Sequence, residues 1–171
     1  MRITHDKGVT LLELLCGLAL VAVLAGLAAP GFRASARAAA VRSAAYELMT
    51  GLQQTRGNSI VEARPGVLCL ADTAGNCLDT SAPAPAWRSY LETGTGAAET
   101  GAQTVASRSL PSDILVRGSR TRIRFWPNSL AASTGTLTIC DAQGLAPPRA
   151  IVISQNGRAR FATAATDGCR A

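Results

Sequence analysis

Lysine and histidine are almost missing from this chain of 171 residues. Its one Lys is Lys7 and its one His is His5, so every later basic side chain is an arginine. General acid–base catalysis usually relies on His, Lys or paired carboxylates, and the acidic residues here are scattered singly. The sequence therefore predicts that the protein is not an enzyme.

Other chemical signatures are absent as well. The sequence contains no Cys-x-x-Cys pair, no Gly-x-Ser-x-Gly elbow and no glycine-rich loop followed by Lys. Those patterns are typical of zinc sites, serine hydrolases and phosphate-binding loops. We therefore predict no metal and no cofactor. Aromatic residues make up only 4% of the chain, which leaves few side chains that could stack on unpaired bases.

The long apolar stretch near the N-terminus contains a single charge. Residues 9–30 include one charged side chain, Glu13, and follow a short basic leader. A helix of this length spans about 33 Å, enough to cross a bilayer, and the leader predicts a cytoplasmic N-terminus. An ordinary secretory signal has its cleavage site after the apolar region, whereas here the break from polar to apolar residues precedes it.

Residues 7–13, Lys-Gly-Val-Thr-Leu-Leu-Glu, resemble the class III signal of type IV pilins and type II secretion pseudopilins, with Val9 where Phe is usual. The resemblance implies that a prepilin peptidase cleaves after Gly8 and that the new amino terminus at Val9 is methylated. A carboxylate in hydrocarbon is costly and usually functional. In this family the carboxylate pairs with the amine of a neighbouring subunit, so the resemblance implies that Glu13 takes part in filament assembly.

Apolar residues then recur at helical spacing. Val41, Ala45, Leu48 and Leu52 form one stripe, and Pro30-Gly31 predicts a kink in a single long helix. We predict four parts: a cleaved leader over 1–8, a transmembrane and assembly helix over 9–31, its amphipathic half over 32–64, and a β-rich periplasmic domain over 65–171.

Short strand-like runs separated by turn-rich clusters follow the helix. The predicted strands are Val67–Ala71, Trp87–Leu91, Gln103–Leu110, Ile114–Val116, Thr121–Trp126, Thr136–Cys140, Arg149–Ser154 and Arg158–Thr163. The pattern predicts an α+β fold of the pilin kind, in which the long N-terminal helix packs on a C-terminal antiparallel β domain.

The five cysteines have different surroundings. Cys16 lies in the apolar helix and is predicted to be a packing residue. Cys69, Cys77, Cys140 and Cys169 lie in the part that would face an oxidising periplasm, and four cysteines allow three pairings. The first two flank a turn-rich stretch and could close a small loop, and the last two would then tie the C-terminal tail to a strand.

Arginine is concentrated toward the C-terminus. Residues 33–104 hold six Arg and six acidic residues, whereas residues 105–171 hold nine Arg and three acidic residues. A basic C-terminal half of this kind indicates either that the protein binds a polyanionic partner or that the arginines only provide solubility and ordinary ion pairs. Arg120, Arg122 and Arg124 alternate and would line one face of a strand, either solvated or as part of a binding surface.

Asn156-Gly157 lies between two strand-like runs and predicts a hairpin with a two-residue type I′ turn. With that turn, Arg158 and Arg160 share one strand face about 7 Å apart. Two guanidinium groups at that spacing suit phosphate, because each donates in bidentate fashion. Residues Val152, Ala159 and Phe161 would occupy the opposite, core face, and Arg149 and Arg170 would add to the basic side.

Residues 135–141 and 149–160 resemble the GspH/FimT family of minor pilins and pseudopilins. FimT-type members that serve natural transformation bind DNA through a Gly-Arg-x-Arg motif, which this chain matches at residues 157–160. The resemblance implies that Arg158 and Arg160 contact phosphates of duplex DNA with little sequence preference. Weaker candidates are Arg149, Arg120, Arg122, Arg124 and Arg170.

The expected function is therefore that of a minor type IV pilin that is made in the inner membrane as a single-pass protein and incorporated into a pilus or its tip. There it would bind DNA during uptake. Two alternatives stay open: a type II secretion pseudopilin, and a priming subunit that only initiates pilus assembly. The expected partners are prepilin peptidase, other pilins or pseudopilins, the inner membrane and DNA.

Overall fold

One long helix and eight short strands make up the computed structural model, which describes residues 10–80, 82–93, 102–128, 131–164 and 169, with the side chains of 27–30 excepted. In chain order the elements are α1 (Leu11–Val61), β1 (Gly66–Ala71), β2 (Ala86–Leu91), β3 (Gln103–Ser109), β4 (Ile114–Gly118), β5 (Arg122–Phe125), β6 (Gly135–Asp141), β7 (Arg149–Ile153) and β8 (Ala159–Thr163).

The chain divides into two compact units, of which the first comprises residues 1–36. Its helix begins after Thr10, whose Oγ1 accepts a hydrogen bond from the Glu13 N–H at 3.3 Å, the bond expected of an N-cap residue. The large apolar side chains described in this unit, from Leu11 to Phe32, are at least 55% exposed. Among the described residues no single helix is long and apolar enough to cross a membrane, although Leu11–Gly26 and Gly31–Val61 meet that requirement together.

In the second unit, residues 37–171, the helix buries one stripe of side chains. The predicted stripe of Val41, Ala45, Leu48 and Leu52 is at most 1% exposed. The helix ends at Val61, and the hydroxyl of Ser59 in its last turn donates to the Arg64 carbonyl at 2.7 Å. Packing of this stripe, rather than helix propensity, is what holds an amphipathic helix in place.

The strands form two antiparallel sheets of four. Sheet A has the order β3-β2-β1-β5, and sheet B has the order β4-β6-β7-β8. Every predicted strand is present, with ends that differ from the prediction by about two residues at most. Boundaries vary by this much because strand ends fray and turns compete with them.

A single main core joins the helix to both sheets. It contains the helix stripe together with Leu68 and Trp87 of sheet A and Ile139 and Ile151 of sheet B. Gly51 admits Trp87 against the helix, because a Cβ there would lie 2.4 Å from the indole. This helix on antiparallel sheets is the predicted α+β arrangement, and the prediction of the fold class is confirmed.

Two disulfides are present, and of the three possible pairings they are Cys69–Cys77 and Cys140–Cys169. The first closes the turn-rich loop after β1, and the second ties residue 169 to the end of β6. Each joins Cα atoms 5.6 Å apart, within the range that a disulfide spans.

Candidate nucleic-acid interface

The β7–β8 hairpin presents the arginine pair singled out in the sequence. Its strands pair Ile151 with Phe161, Val152 with Arg160 and Ile153 with Ala159. The Ser154 N–H donates to the Arg158 carbonyl at 3.1 Å, which closes the hairpin around a three-residue loop, 155–157.

The prediction of a two-residue type I′ turn at Asn156-Gly157 is wrong. A type I′ turn requires positive φ at both central residues, and among the described non-glycine residues only Ala63 and Asp113 have it. Gly157 alone adopts the left-handed conformation here, with φ of 72°. A three-residue loop that ends in a left-handed glycine is the next most common hairpin connection.

The longer loop shifts the pairing by one residue, which exchanges the faces of one strand relative to the other. Val152 therefore shares a face with Arg160 and is half-buried, so its predicted place in the core is wrong. The core face of this hairpin carries the fully buried Ile151 and Ile153 instead, with Phe161 half-buried on the same side.

Arg149 does not lie on the predicted basic side. It pairs with Ile139 on one side and Thr163 on the other, and so it lies on the helix-facing side of sheet B. Arg158 and Arg160 alternate along the strand and share the outer side. The structure thus brings Arg158 and Arg160 together and leaves Arg149 on the other face.

The hairpin tip is held from two directions. A guanidinium N–H of Arg56, on α1, donates to the Gly157 carbonyl at 3.3 Å. On the other side the Ala132 N–H donates to the Gln155 carbonyl at 2.8 Å. Sequence reasoning missed Arg56, because a contact across 101 residues leaves no local pattern to find.

Arg158 and Arg160 are both exposed and border a shallow depression of about 530 Å³ with residues 154–156. Within the described ranges, no acidic side chain forms an ion pair with either guanidinium. Their donors are therefore free to meet an anion, and a planar guanidinium matches phosphate oxygens two at a time.

The other predicted arginines divide into two groups. Arg122 and Arg124 lie on β5 of sheet A, where Arg122 pairs with Asp79 and Arg124 with the buried Glu92, both at 2.6 Å. Arg120 lies in the turn before β5 and borders a depression of about 510 Å³ that reaches Thr136 and Val152 on sheet B. The predicted single face of three arginines is therefore split between the two sheets.

Some predicted positions lie outside the described residues. Gly8 and Val9, at the expected cleavage site, and Arg170, after the second disulfide, are among them. Glu13 is described, exposed, and third in the first turn of α1. In the described part of the chain, no cluster of His, Cys, Asp or Glu could hold a metal ion.

Comparison with known families gives two matches, one over the N-terminal segment and one that runs from the helix to Gly157. Residues 44–157 match the family described as type II transport protein GspH, and residues 3–29 match the prokaryotic N-terminal methylation motif. The motif implies processing by a prepilin peptidase and assembly with other pilins. No curated protein matches the sequence significantly.

Solved structures share the fold at low sequence identity. A crystal structure of the Pseudomonas aeruginosa type IV minor pilin FimU superposes with a TM-score of 0.51 at 18% identity, over 71% of this chain and 87% of that one. A second crystal form of FimU gives a TM-score of 0.49 at 19% identity, over 71% and 91%. The first match identifies the long helix with its antiparallel sheets as a pilin fold.

Proposed function

This chain belongs to the GspH family of type II transport proteins and is a subunit of the minor pilin and pseudopilin kind, and we propose that it is a minor type IV pilin that binds DNA through Arg158 and Arg160. In this proposal it is processed between Gly8 and Val9, anchored in the inner membrane, and incorporated into a pilus where it captures DNA for uptake.

The observation that carries DNA binding is the contrast between two sets of arginines. Arg122 and Arg124 have carboxylate partners at 2.6 Å. Arg158 and Arg160, which occupy the Gly-Arg-x-Arg motif, are exposed and have no such partner among the described residues. A guanidinium on this hairpin without a carboxylate partner is available to an external anion.

Binding of this kind depends on phosphates rather than bases. Two alternating guanidinium groups about 7 Å apart reach successive backbone groups of a nucleic acid, so sequence preference is weak and added salt competes strongly. Most aromatic side chains of the sheets fit this, because Trp87, Tyr90 and Phe125 are at most 3% exposed and cannot stack on bases, whereas Trp126, directly after β5, is 40% exposed.

Filament assembly uses the N-terminal unit. We infer that the apolar side chains of residues 9–29 pack against other subunits and that the Glu13 carboxylate pairs with a neighbour's methylated amine. The exposure of the side chains described between Leu11 and Gly26, Glu13 included, supports this, since burying about 25 Å² of apolar surface yields roughly 0.6 kcal/mol.

A second candidate is a structural pseudopilin of a type II secretion system. The family match to a type II transport protein favours it. Such a subunit needs no DNA contact, and its arginines would instead face acidic groups on neighbouring subunits.

A deletion strain complemented with the full chain or with Arg158→Gln/Arg160→Gln tests the proposal. We expect the variant to restore pili and protein secretion as the wild type does but to leave DNA uptake impaired. Equal DNA uptake by both would contradict the proposed function. A deletion that abolishes secretion alone would support the pseudopilin, and one that abolishes all pili would support a priming role.

A further inference from the structure

The strand register defines a second basic region on sheet B. Arg117 of β4 pairs with Thr138 of β6, while Thr136 of β6 pairs with Val152, which pairs with Arg160. All of these side chains therefore project from the side away from the helix, which we call the outer face. Its strand positions are Leu115, Arg117, Thr136, Thr138, Cys140, Ala150, Val152, Arg160 and Ala162.

Arg120 joins this face from the turn after β4. The Ser119 N–H donates to the Thr136 carbonyl at 2.9 Å, and the Ser119 hydroxyl accepts from the Thr136 N–H at 3.0 Å, which fixes the turn against β6. Arg120 borders the same depression as Thr136 and Val152. Val152 in turn stands opposite Arg160, so both depressions open on one continuous surface.

The outer face carries one sign of charge. None of its nine strand positions is acidic, and within the described ranges neither Arg117 nor Arg120 forms an ion pair. Sheet A differs, because Arg122 and Arg124 on its own outer side are neutralised by carboxylates. The outer face of sheet B therefore carries basic side chains that no carboxylate among the described residues neutralises.

The spacing of the two basic regions suits a double helix. Strands β4 and β8 are separated by three strand spacings, about 14 Å in all. The major groove of B-DNA is about 12 Å wide, so phosphates of its two strands lie at a similar separation. Between the two regions Thr136, Thr138 and Val152 are short and half-buried, and they form a floor that a duplex can approach. Ala150 and Cys140 on the same face are buried, and Cys140 is tied to Cys169.

We propose that the outer face of sheet B binds duplex DNA across a groove, with Arg158 and Arg160 on the phosphates of one strand and Arg117 and Arg120 on those of the other. This inference rests on the proposed DNA-binding function. It keeps the duplex expected from the sequence and adds that Arg117 and Arg120 are binding residues, while Arg122, Arg124 and Arg149 are not.

The test is a salt titration of binding by the full chain in a non-ionic detergent, read by fluorescence anisotropy. The probes are a labelled duplex of roughly 20 base pairs and a single strand of the same length, over about 50 to 200 mM salt. Arg117→Gln/Arg120→Gln is compared with Arg42→Gln/Arg108→Gln, which removes the same charge from exposed positions on α1 and β3, away from the outer face.

We expect Arg117→Gln/Arg120→Gln to weaken duplex binding at least ~10-fold and to reduce the log–log salt slope by about 1.8, since each phosphate contact contributes about 0.9. Single-strand binding should change less than about 2-fold, because one strand reaches only one arginine pair. The control variant should bind both probes as the wild type does.

Three results would overturn the inference. If Arg117→Gln/Arg120→Gln binds duplex normally while Arg158→Gln/Arg160→Gln does not, the second strand contact is wrong and the proposed function stands. Equal losses of affinity for duplex and for single strand in Arg117→Gln/Arg120→Gln would exclude binding across a groove. Absence of binding by the folded wild type at low salt would remove both the inference and the proposed function.

Discussion

Val152 lies directly opposite Arg160 across strands β7 and β8, so the two side chains share the outer face of sheet B. This pairing decides which residues of the hairpin meet a partner and which meet the core. Had the loop contained two residues, Arg149 would have joined Arg160 and Val152 would have been buried. The left-handed Gly157 in a three-residue loop produces the opposite arrangement.

Val152→Glu tests the register directly. Because Val152 is half-buried on the outer face, the variant should fold with a loss of about 1 kcal/mol and weaken DNA binding by placing a carboxylate beside Arg160. Ile151→Glu should fail to fold, because Ile151 is fully buried and an unpaired buried charge is very costly. Thermal melts by circular dichroism compare the folding of the two variants, and a titration with DNA measures the binding of the Val152 variant. Unfolding of the Val152 variant would show that the register is wrong.

Arg124 and Arg122 should differ sharply in their effect on stability. Glu92 is 3% exposed, so Arg124→Ala leaves a buried carboxylate without its partner and should cost about 3 to 5 kcal/mol. Arg122→Ala breaks a pair whose Asp79 side chain is 80% exposed and should cost at most about 1 kcal/mol. Chemical denaturation of both variants gives the comparison. Equal costs would contradict the structural role assigned to Arg124.

Two glycines of α1 should respond to alanine in opposite directions. A Cβ at Gly51 would lie 2.4 Å from the Trp87 ring, so Gly51→Ala should destabilise by about 1 to 3 kcal/mol. Nothing lies within 4 Å of a Cβ at Gly57, so Gly57→Ala should stabilise by about 0.5 to 1 kcal/mol through helix propensity. Midpoints of urea unfolding measure both. Stabilisation by Gly51→Ala would mean that the indole packs elsewhere.

The stability of the loop closed by Cys69–Cys77 should depend slightly on pH. The Asn76 backbone N–H, and next its side-chain amide, hydrogen-bond the Asp72 carboxylate and hold the pKa of Asp72 below its ordinary value. Because the folded pKa is the lower one, the stabilisation is present above the unfolded pKa near 3.9 and is lost as the pH falls through the folded value.

Nuclear magnetic resonance titration of the Asp72 carboxyl carbon measures this pKa. Asn76→Ala should raise the Asp72 pKa only part of the way, because the backbone N–H is the larger cause and stays in place. A titration at or above the ordinary Asp value in the unmodified protein would contradict the hydrogen-bonded turn.

Much of the fold could be predicted from the sequence because it depends on local patterns. The helical stripe through Val41 and Leu52 and the eight strand-like runs are properties of residue spacing. The resemblance of residues 7–13 to a pilin signal and of residues 135–141 and 149–160 to the GspH/FimT family supplied the fold type, which the family match and the FimU structure bear out.

The site could be predicted only in part, since its geometry depends on distant contacts. Asn156-Gly157 favours a two-residue turn locally, but the tip also meets Arg56 across 101 residues and Ala132 from a separate loop. The partners of Arg122 and Arg124 lie 43 and 32 residues away. No spacing rule distinguishes an arginine that has such a partner from one that does not.

The most direct measurement is the affinity of the full chain, in a non-ionic detergent, for duplex DNA at low and moderate salt, beside Arg158→Gln/Arg160→Gln. We predict salt-sensitive binding by the wild type that the variant loses, with an unchanged thermal melt. Binding that the folded variant retains in full, or none at low salt by the folded wild type, would contradict DNA capture through this hairpin.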